Sequence, residues 1–234
     1  MAMFMVKPWY GKSGPATPDE CFDPTTHIAT EENFINFLEF GVYDSKYVGY
    51  KVQLSNGSGY YNKGIWIIAD VNHDSTNTGQ TNCYDLMARD IVSTGQYGTN
   101  NQNWRNAPIR NWLNGTFYNG FSSDFKKRIL NIKYKSQNSW YTDDKIIVPS
   151  QVEIKGGNDN SDIEGIYYPI FTGSVGKGEN SSRRKLYNGE QYTWWTRSRY
   201  TKTQVSIVWV YKAGDMGAAI YSTDSGIVPL VRVQ

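Results

Sequence analysis

The chain has 234 residues and a formal net charge of +2, from 24 Lys and Arg against 22 Asp and Glu. That balance gives no whole-chain field to draw it onto nucleic acid or an anionic membrane surface. Charged residues are 20% and aromatics 15%, with 8 Trp and 18 Tyr, which excludes disorder and argues against a helical bundle: polarity comes from Asn, Ser, Thr and Gly, as suits short strands, turns and a tyrosine-rich surface.

No apolar run approaches the ~18 residues that cross a bilayer, so no membrane insertion is expected. The start, Met1-Ala2-Met3-Phe4-Met5-Val6-Lys7-Pro8, lacks the basic opening and apolar stretch of a secretory signal, so synthesis in a cytoplasm is expected. Cys21 and Cys83 are one pair, no disulfide framework, and free thiols are the expectation.

Residues 1–29 read as an extended arm, with Pro8, Pro15, Pro18 and Pro24 at short intervals. Proline at this density blocks helix interiors and central strands. The arm carries Phe4, Trp9, Tyr10 and Phe22, which either pack on the chain's own domain or anchor it to a neighbouring subunit. Residues 30–234 read as one α+β domain, helices early and an antiparallel sheet late.

Thr30 is placed to cap a helix over Glu31-Glu32-Asn33-Phe34-Ile35-Asn36-Phe37-Leu38, its two acids favoured by the helix dipole and Gly41 ending it. Ile65–Val71 reads as a buried strand, and a short helix is expected from Asp85 through Ile91. Asn106 is the expected cap of a helix with Pro108 in its first turn, an Ile109, Trp112, Leu113 stripe and a left-handed exit at Gly115. Ser122 or Ser123 opens another helical turn. Strands follow at 129–134, 146–149, 193–198, 205–211, 218–222 and 228–233. The stretch from Lys155 to Gln191 has little periodicity, and so long a loop is often functional.

Chemistry is sparse. There are two histidines, His27 and His73, neither beside a nucleophile elbow. No paired Cys/His set suggests zinc, and no glycine-rich phosphate loop follows a strand. Asp70-Val71-Asn72-His73-Asp74 alternates like the start of a calcium loop. It has Ser75 where Gly is needed and Thr81 where a bidentate Glu is needed, so an Asx-rich turn is the simpler reading. Gly157–Asp162 reads as a solvated turn. The glycosylation sequons at Asn56, Asn114 and Asn180 are at chance frequency for this composition. No catalytic residue, metal or cofactor is assigned.

Tyrosines cluster late in the chain. Tyr167, Tyr168, Tyr200 and Tyr211, with Asp215, are the candidate ligand contacts, because loop tyrosines give rigid contact area with a polar tip. Trp194 and Trp195 on a strand point to opposite faces. Arg197 reads as a structural hydrogen-bond hub.

Asn103-Trp104, Ile109-Arg110-Asn111-Trp112-Leu113-Asn114, Phe117 and Phe121 resemble the W…[IL]-R-x-W-L-N…F…F signature of a domain of unknown function found in Firmicute and phage proteins. Val148-Pro149-Ser150-Gln151-Val152-Glu153, Trp194-Trp195-Thr196-Arg197-Ser198 and Gly226-Ile227-Val228-Pro229-Leu230 resemble its later blocks, with Val228 where the family has Arg. The match spans about residues 40–234. That domain is similar to the C-type-lectin-like fold of the formylglycine-generating-enzyme superfamily and of phage variable receptor-binding proteins. The resemblance implies a twisted antiparallel sheet flanked by two or more short helices, with long loops as the binding face. It implies Trp112, Trp194, Trp195 and Arg197 as the core of the blocks. The copper-binding cysteine pair of the formylglycine enzymes and the calcium-lectin motifs have no counterpart here.

The expectation is a non-enzymatic phage virion surface protein, a capsid or tail decoration or host-adhesion module. Residues 1–29 would hold it to other virion proteins, and a lectin-like loop face would meet a host glycan or protein. A homo-oligomer is compatible with this. The alternative is a free bacterial lectin-like glycan binder at the cell surface or outside it, and a carboxylate-based enzyme is the third reading.

Overall fold

The computed structural model describes residues 14–54, 64–98, 103–136, 140–156, 164–172, 180–200 and 206–234. Strand β1 (Ile28–Thr30) leads into helix α1 (Glu31–Glu39). Thr30 caps it by accepting from the Asn33 N–H at 3.2 Å, and Phe34, Phe37 and Leu38 form its buried face. Gly41 takes φ +65 just beyond its end, a left-handed turn that glycine adopts without a Cβ clash.

Strands β2 (Lys51–Gln53) and β3 (Ile65–Val71) follow, then a single turn α2 (Ser75–Thr78). The helix expected over 85–91 is absent: Tyr84–Ala88 is strand β4, buried at every position, and Ser93–Gln96 is β5. A strand buried on both faces has no alternation, and this run, apolar but for Asp85, cannot be told from a buried helical segment by periodicity.

Helix α3 (Pro108–Trp112) begins at the proline, after a 3-10 turn over Trp104–Asn106. Asn103 caps the 3-10 turn, its side chain accepting from the Asn106 N–H at 3.3 Å; Asn106 lies inside that turn, and α3 itself starts from Ala107 with no side-chain cap. Gly115 is no left-handed exit, because Leu113–Phe117 continues as a π-helical turn. Helix α4 (Ser123–Arg128) is capped by Ser122. Strands β6 (Ile132–Ser136), β7 (Trp140–Asp144) and β8 (Ile146–Ile147) precede α5 (Gln151–Lys155), whose Ser150 and Glu153 form a capping box.

The late strands are β9 (Lys185–Tyr187), β10 (Glu190–Tyr192), β11 (Trp194–Arg199), β12 (Ser206–Val210), β13 (Met216–Ile220), β14 (Asp224–Ile227) and β15 (Leu230–Val233). Among the described residues the architecture is mixed α+β: mostly sheet, with few short helices and no closed barrel. One sheet has six strands in the order β1-β2-β3-β4-β15-β8, a second has five in the order β13-β12-β11-β14-β5, and β9/β10 and β6/β7 form separate hairpins. Pairing is antiparallel except β1 with β2 and β11 with β14.

Two long segments tie the main sheets together. β4 and β15 pair in the first, with Leu230 opposite Met87; β5 and β14 pair in the second, with Ile227 opposite Ser93. The segments stay bonded while they change sheet, by Ala88 N–H to Pro229 O at 2.9 Å and Val92 N–H to Ile227 O at 3.0 Å. Pro229 lacks an N–H and sits at the break.

Phe22 corrects the boundary of the arm. It is 4% exposed and lies 5.0 Å from the Phe37 ring and 5.7 Å from that of Tyr47. Asp19–Cys21 is a 3-10 turn, and Tyr47 donates to Asp19 at 2.7 Å. Residues 19–29 therefore fold onto the domain, with Cys21, Phe22 and Ala29 in its core. Phe4, Trp9 and Tyr10 lie outside the described residues.

Candidate functional site

Three arginine–carboxylate pairs brace the domain, two of them fully buried and one, Arg110 with Asp144, half-buried on the arginine side. Arg197 donates through Nη1 and Nη2 to Glu153 at 2.6 and 2.7 Å, and to the carbonyls of Val148 and Glu164, each at 3.0 Å. Burial disfavours its charged form, and the Glu153 carboxylate outweighs that, so the guanidinium is held above its ordinary pKa. Ser198, on the same strand, donates to Glu164 and receives the Gln151 N–H. Arg110 and the Trp104 indole both donate to Asp144, at 2.7 and 2.9 Å.

The third pair was missed from the sequence: Arg232 grips Asp85 at 2.6 and 2.9 Å. Its signal was an Arg inside an apolar terminal strand, which burial forces into a pair. All three pairs join segments far apart in the chain, so they hold the fold together.

Tyr168 is not a surface contact. It is fully buried, stacks on His73 at 3.6 Å and donates to Asp85 at 2.6 Å. His73 in turn meets Asp70 at 2.7 Å. Asp70 also receives the Val71 N–H at 2.8 Å, and Asn72 the Cys83 N–H at 3.2 Å, so these oxygens close the turn as the Asx reading expects. Among the described residues no group of three or more His, Cys, Asp or Glu is placed to hold a metal. Cys21 and Cys83 are free and buried, and burial pushes both thiols up to about 11.

Tyr167 and Tyr200 are half-buried, and Tyr200 N–H bonds Ser206 O at 3.0 Å beside residues 201–205, which lie outside the described residues. Trp112 is half-buried against Phe117 at 5.2 Å, whereas Trp194 and Trp195 are both fully buried. Their indoles donate to opposite neighbours, Trp194 to Arg183 O at 3.0 Å and Trp195 to Gly95 O at 2.9 Å.

Tyr211 and Asp215 are brought together. They close the β12–β13 turn, with Tyr211 N–H donating to Asp215 O at 2.8 Å and Gly214 N–H to Tyr211 O at 2.9 Å. Gly214 has φ +87, and a Cβ there would stand 2.0 Å from the Asn180 carbonyl oxygen. Arg184 donates to Ala213 O at 3.1 Å, so the turn is clamped from outside. The Tyr211 ring lies over Gly217, where a Cβ would meet it at 2.3 Å. It stands edge-on to Trp209 at 5.2 Å, which leans on Trp195 at 5.7 Å. Tyr211 is 37% exposed, and Trp209 is half-buried. Sequence reading found Tyr211 but not Trp209 or Gly217: strand alternation puts Trp209 and Tyr211 on one face, and only the register with β13 sets Gly217 opposite Trp209. Nearby, the β9–β10 hairpin carries Tyr187 and Tyr192 with rings 5.7 Å apart and Lys212 Nζ 6.0 Å from the Tyr192 ring.

A separate cleft of about 860 Å³ opens between α1 and α4. Glu39 and Asp124 in its wall pair with Arg128 and Lys127 at 2.6 and 2.7 Å, and Ser122 donates to Glu31. Its lining holds no aromatic ring, so it offers no stacking surface.

No curated protein and no solved structure matches the chain. Residues 82–234 match the family described as Domain of unknown function (DUF6273). The match starts in the β3–β4 connection and takes in Arg110, Arg197 and Arg232, while β1–β3 extend the six-stranded sheet from outside it. On that match, which covers well over half of its length, the chain belongs to the DUF6273 family.

Proposed function

We propose that the chain is a non-enzymatic binding module of a phage particle surface, and that the Trp209–Tyr211 face of the five-stranded sheet meets a glycan on the host. The observation that carries the reading is this aromatic pair on a clamped turn, with Gly217 beneath it. Flat aromatic faces pack against the apolar faces of sugar rings, and a turn already ordered in the free protein loses little entropy on binding. Asp215 and Lys212 sit on the same turn as polar partners for hydroxyls. The C-type-lectin-like arrangement is part of the proposal. It is supported by the antiparallel late strands, the flanking short helices and the terminal β14–β15 segment that closes the core. The arginine–carboxylate pairs are the fold's own supports, which favours binding over catalysis.

A glycan array probed with the full chain and with Tyr211→Ala tests the reading. Binding weakened tenfold or more by the substitution, about 1.4 kcal/mol, is the expected result; equal, flat binding of both proteins overturns it. The virion and free-lectin readings separate by one assay. Density-purified phage particles carry the chain in the first and lack it in the second.

A further inference from the structure

The sequence holds four Asn-Gly steps: Asn56-Gly57, Asn114-Gly115, Asn119-Gly120 and Asn188-Gly189. This dipeptide is the one most prone to spontaneous deamidation, because glycine lacks the Cβ that would shield its amide nitrogen from the preceding side chain. Asn56 lies outside the described residues. The other three stand in different surroundings.

Asn114 is held at both ends. Its Nδ2 donates to Arg110 O at 3.1 Å and Ile146 O at 2.8 Å, and its Oδ1 accepts from Lys145 N at 2.8 Å and Ile146 N at 3.1 Å. Gly115 is inside the π-helical turn. Asn119 is exposed, yet the attacking nitrogen is engaged: Gly120 N–H donates to Phe117 O at 3.0 Å.

Asn188 is unlike both. It and Gly189 are exposed at the tip of the β9–β10 hairpin, with φ of +54 and +85. A Cβ built on Gly189 meets nothing within 4 Å. The hairpin is joined by three residue pairs, Glu190 with Tyr187, Gln191 with Leu186 and Tyr192 with Lys185. So short a two-stranded ladder opens at its tip without global unfolding.

We propose that Asn188 is a modification site at which the folded protein deamidates through this local opening. The Gly189 amide nitrogen, once deprotonated by hydroxide, attacks Cγ of Asn188. The N–Cγ bond forms, the Cγ–Nδ2 bond breaks, and ammonia leaves. Water then opens the resulting succinimide at one of its two carbonyls, giving aspartate or isoaspartate; nothing is oxidised or reduced. Either product puts a negative charge two residues from Glu190. Isoaspartate also adds a methylene to the backbone of a two-residue turn, so the pairing of Tyr187 with Glu190 slips and the Tyr187–Tyr192 ring contact goes with it. The inference does not depend on the glycan reading.

The test uses the full chain, folded, at mildly alkaline pH over days, then tryptic mapping. The peptide Leu186–Arg197 contains Asn188 as its one asparagine, and the peptide Asn111–Lys126 contains Asn114 and Asn119. In the folded protein the first is expected to convert to the acid at least ~tenfold faster than the second. Its rate should rise with pH, and isoaspartate methyltransferase should label it. In urea the two rates should converge. The variant Asn188→Gly keeps a residue at home at positive φ and should remove the conversion. Equal rates in the folded chain, or an unconverted Leu186–Arg197 peptide, overturn the proposal.

Discussion

Arg197 and Lys185 are both buried cations, solved differently. Arg197 has a carboxylate within 2.7 Å, and removing one partner of such a pair strands the other in the core. Arg197→Met is expected to lower stability by about 3–5 kcal/mol, and Arg197→Met with Glu153→Gln by less than the sum of the two changes. Urea midpoints of the four proteins check this, and additive losses would show that the pair is not coupled. Among the described residues Lys185 has no carboxylate within bonding distance. Its Nζ donates to the carbonyls of Ala88 and Arg89 at 3.1 and 2.8 Å, and burial brings its pKa down from 10.5 to about 8. Between those two values the unfolded chain holds a proton that the folded chain has released. Stability therefore rises with pH across that window, by up to ~3 kcal/mol from this group. Lys185→Met should lack the rise. The difference between the two proteins' urea midpoints, read at both ends of the window, gives the answer.

Elements with local signals were legible in the sequence, and those decided by tertiary contacts were not. Thr30 and Ser122 cap α1 and α4 as their positions imply, because a cap needs only the next three residues. The helix expected from Asp85 through Ile91 fails because the segment pairs with β3 on one edge and β15 on the other, partners far away in the chain. Nothing local to Asn114-Gly115 reveals that the Asn114 side chain bonds the backbone of residues 145 and 146, which keeps a helical turn running through a glycine. The candidate face shows the same division: the tyrosine is plain in the sequence, whereas the glycine that seats it lies on another strand. Gly217→Ala is therefore expected to leave the fold within ~1 kcal/mol of the parent, because the clashing atom is the end of a movable side chain. It should shift Tyr211 and weaken glycan binding as Tyr211→Ala does. Gly214→Ala differs, since its Cβ would meet backbone at 2.0 Å and its φ is +87. It should destabilise the turn by about 1–3 kcal/mol. Thermal unfolding beside array binding separates the two: equal loss of stability in both variants would mean Gly217 supports the fold and not the face.

At the scale of the molecule, residues 19–29 fold with the domain. The proline spacing suggested a detachable arm, but proline density reports only what the backbone cannot form, not what the side chains touch. Cys21 and Phe22 are 1% and 4% exposed, and β1 pairs in parallel with β2, Ile28 opposite Lys51. That pairing completes the outer edge of the six-stranded sheet, and Phe22 fills the space between α1 and Tyr47. Loss of one buried Phe side chain costs about 3–5 kcal/mol, a large share of the ~5–15 kcal/mol by which a domain is stable. Deleting residues 1–29 removes that ring and an edge strand together, so the product should lose its cooperative unfolding transition. Deleting residues 1–13 touches none of these contacts and should leave the transition in place. Any anchoring by Phe4, Trp9 and Tyr10 is therefore measured with the shorter deletion: the particle should lose the 1–13 variant while that variant still unfolds cooperatively in solution. Retention of the variant on the particle would remove the anchoring role, and cooperative unfolding of the 1–29 deletion would return residues 19–29 to the arm.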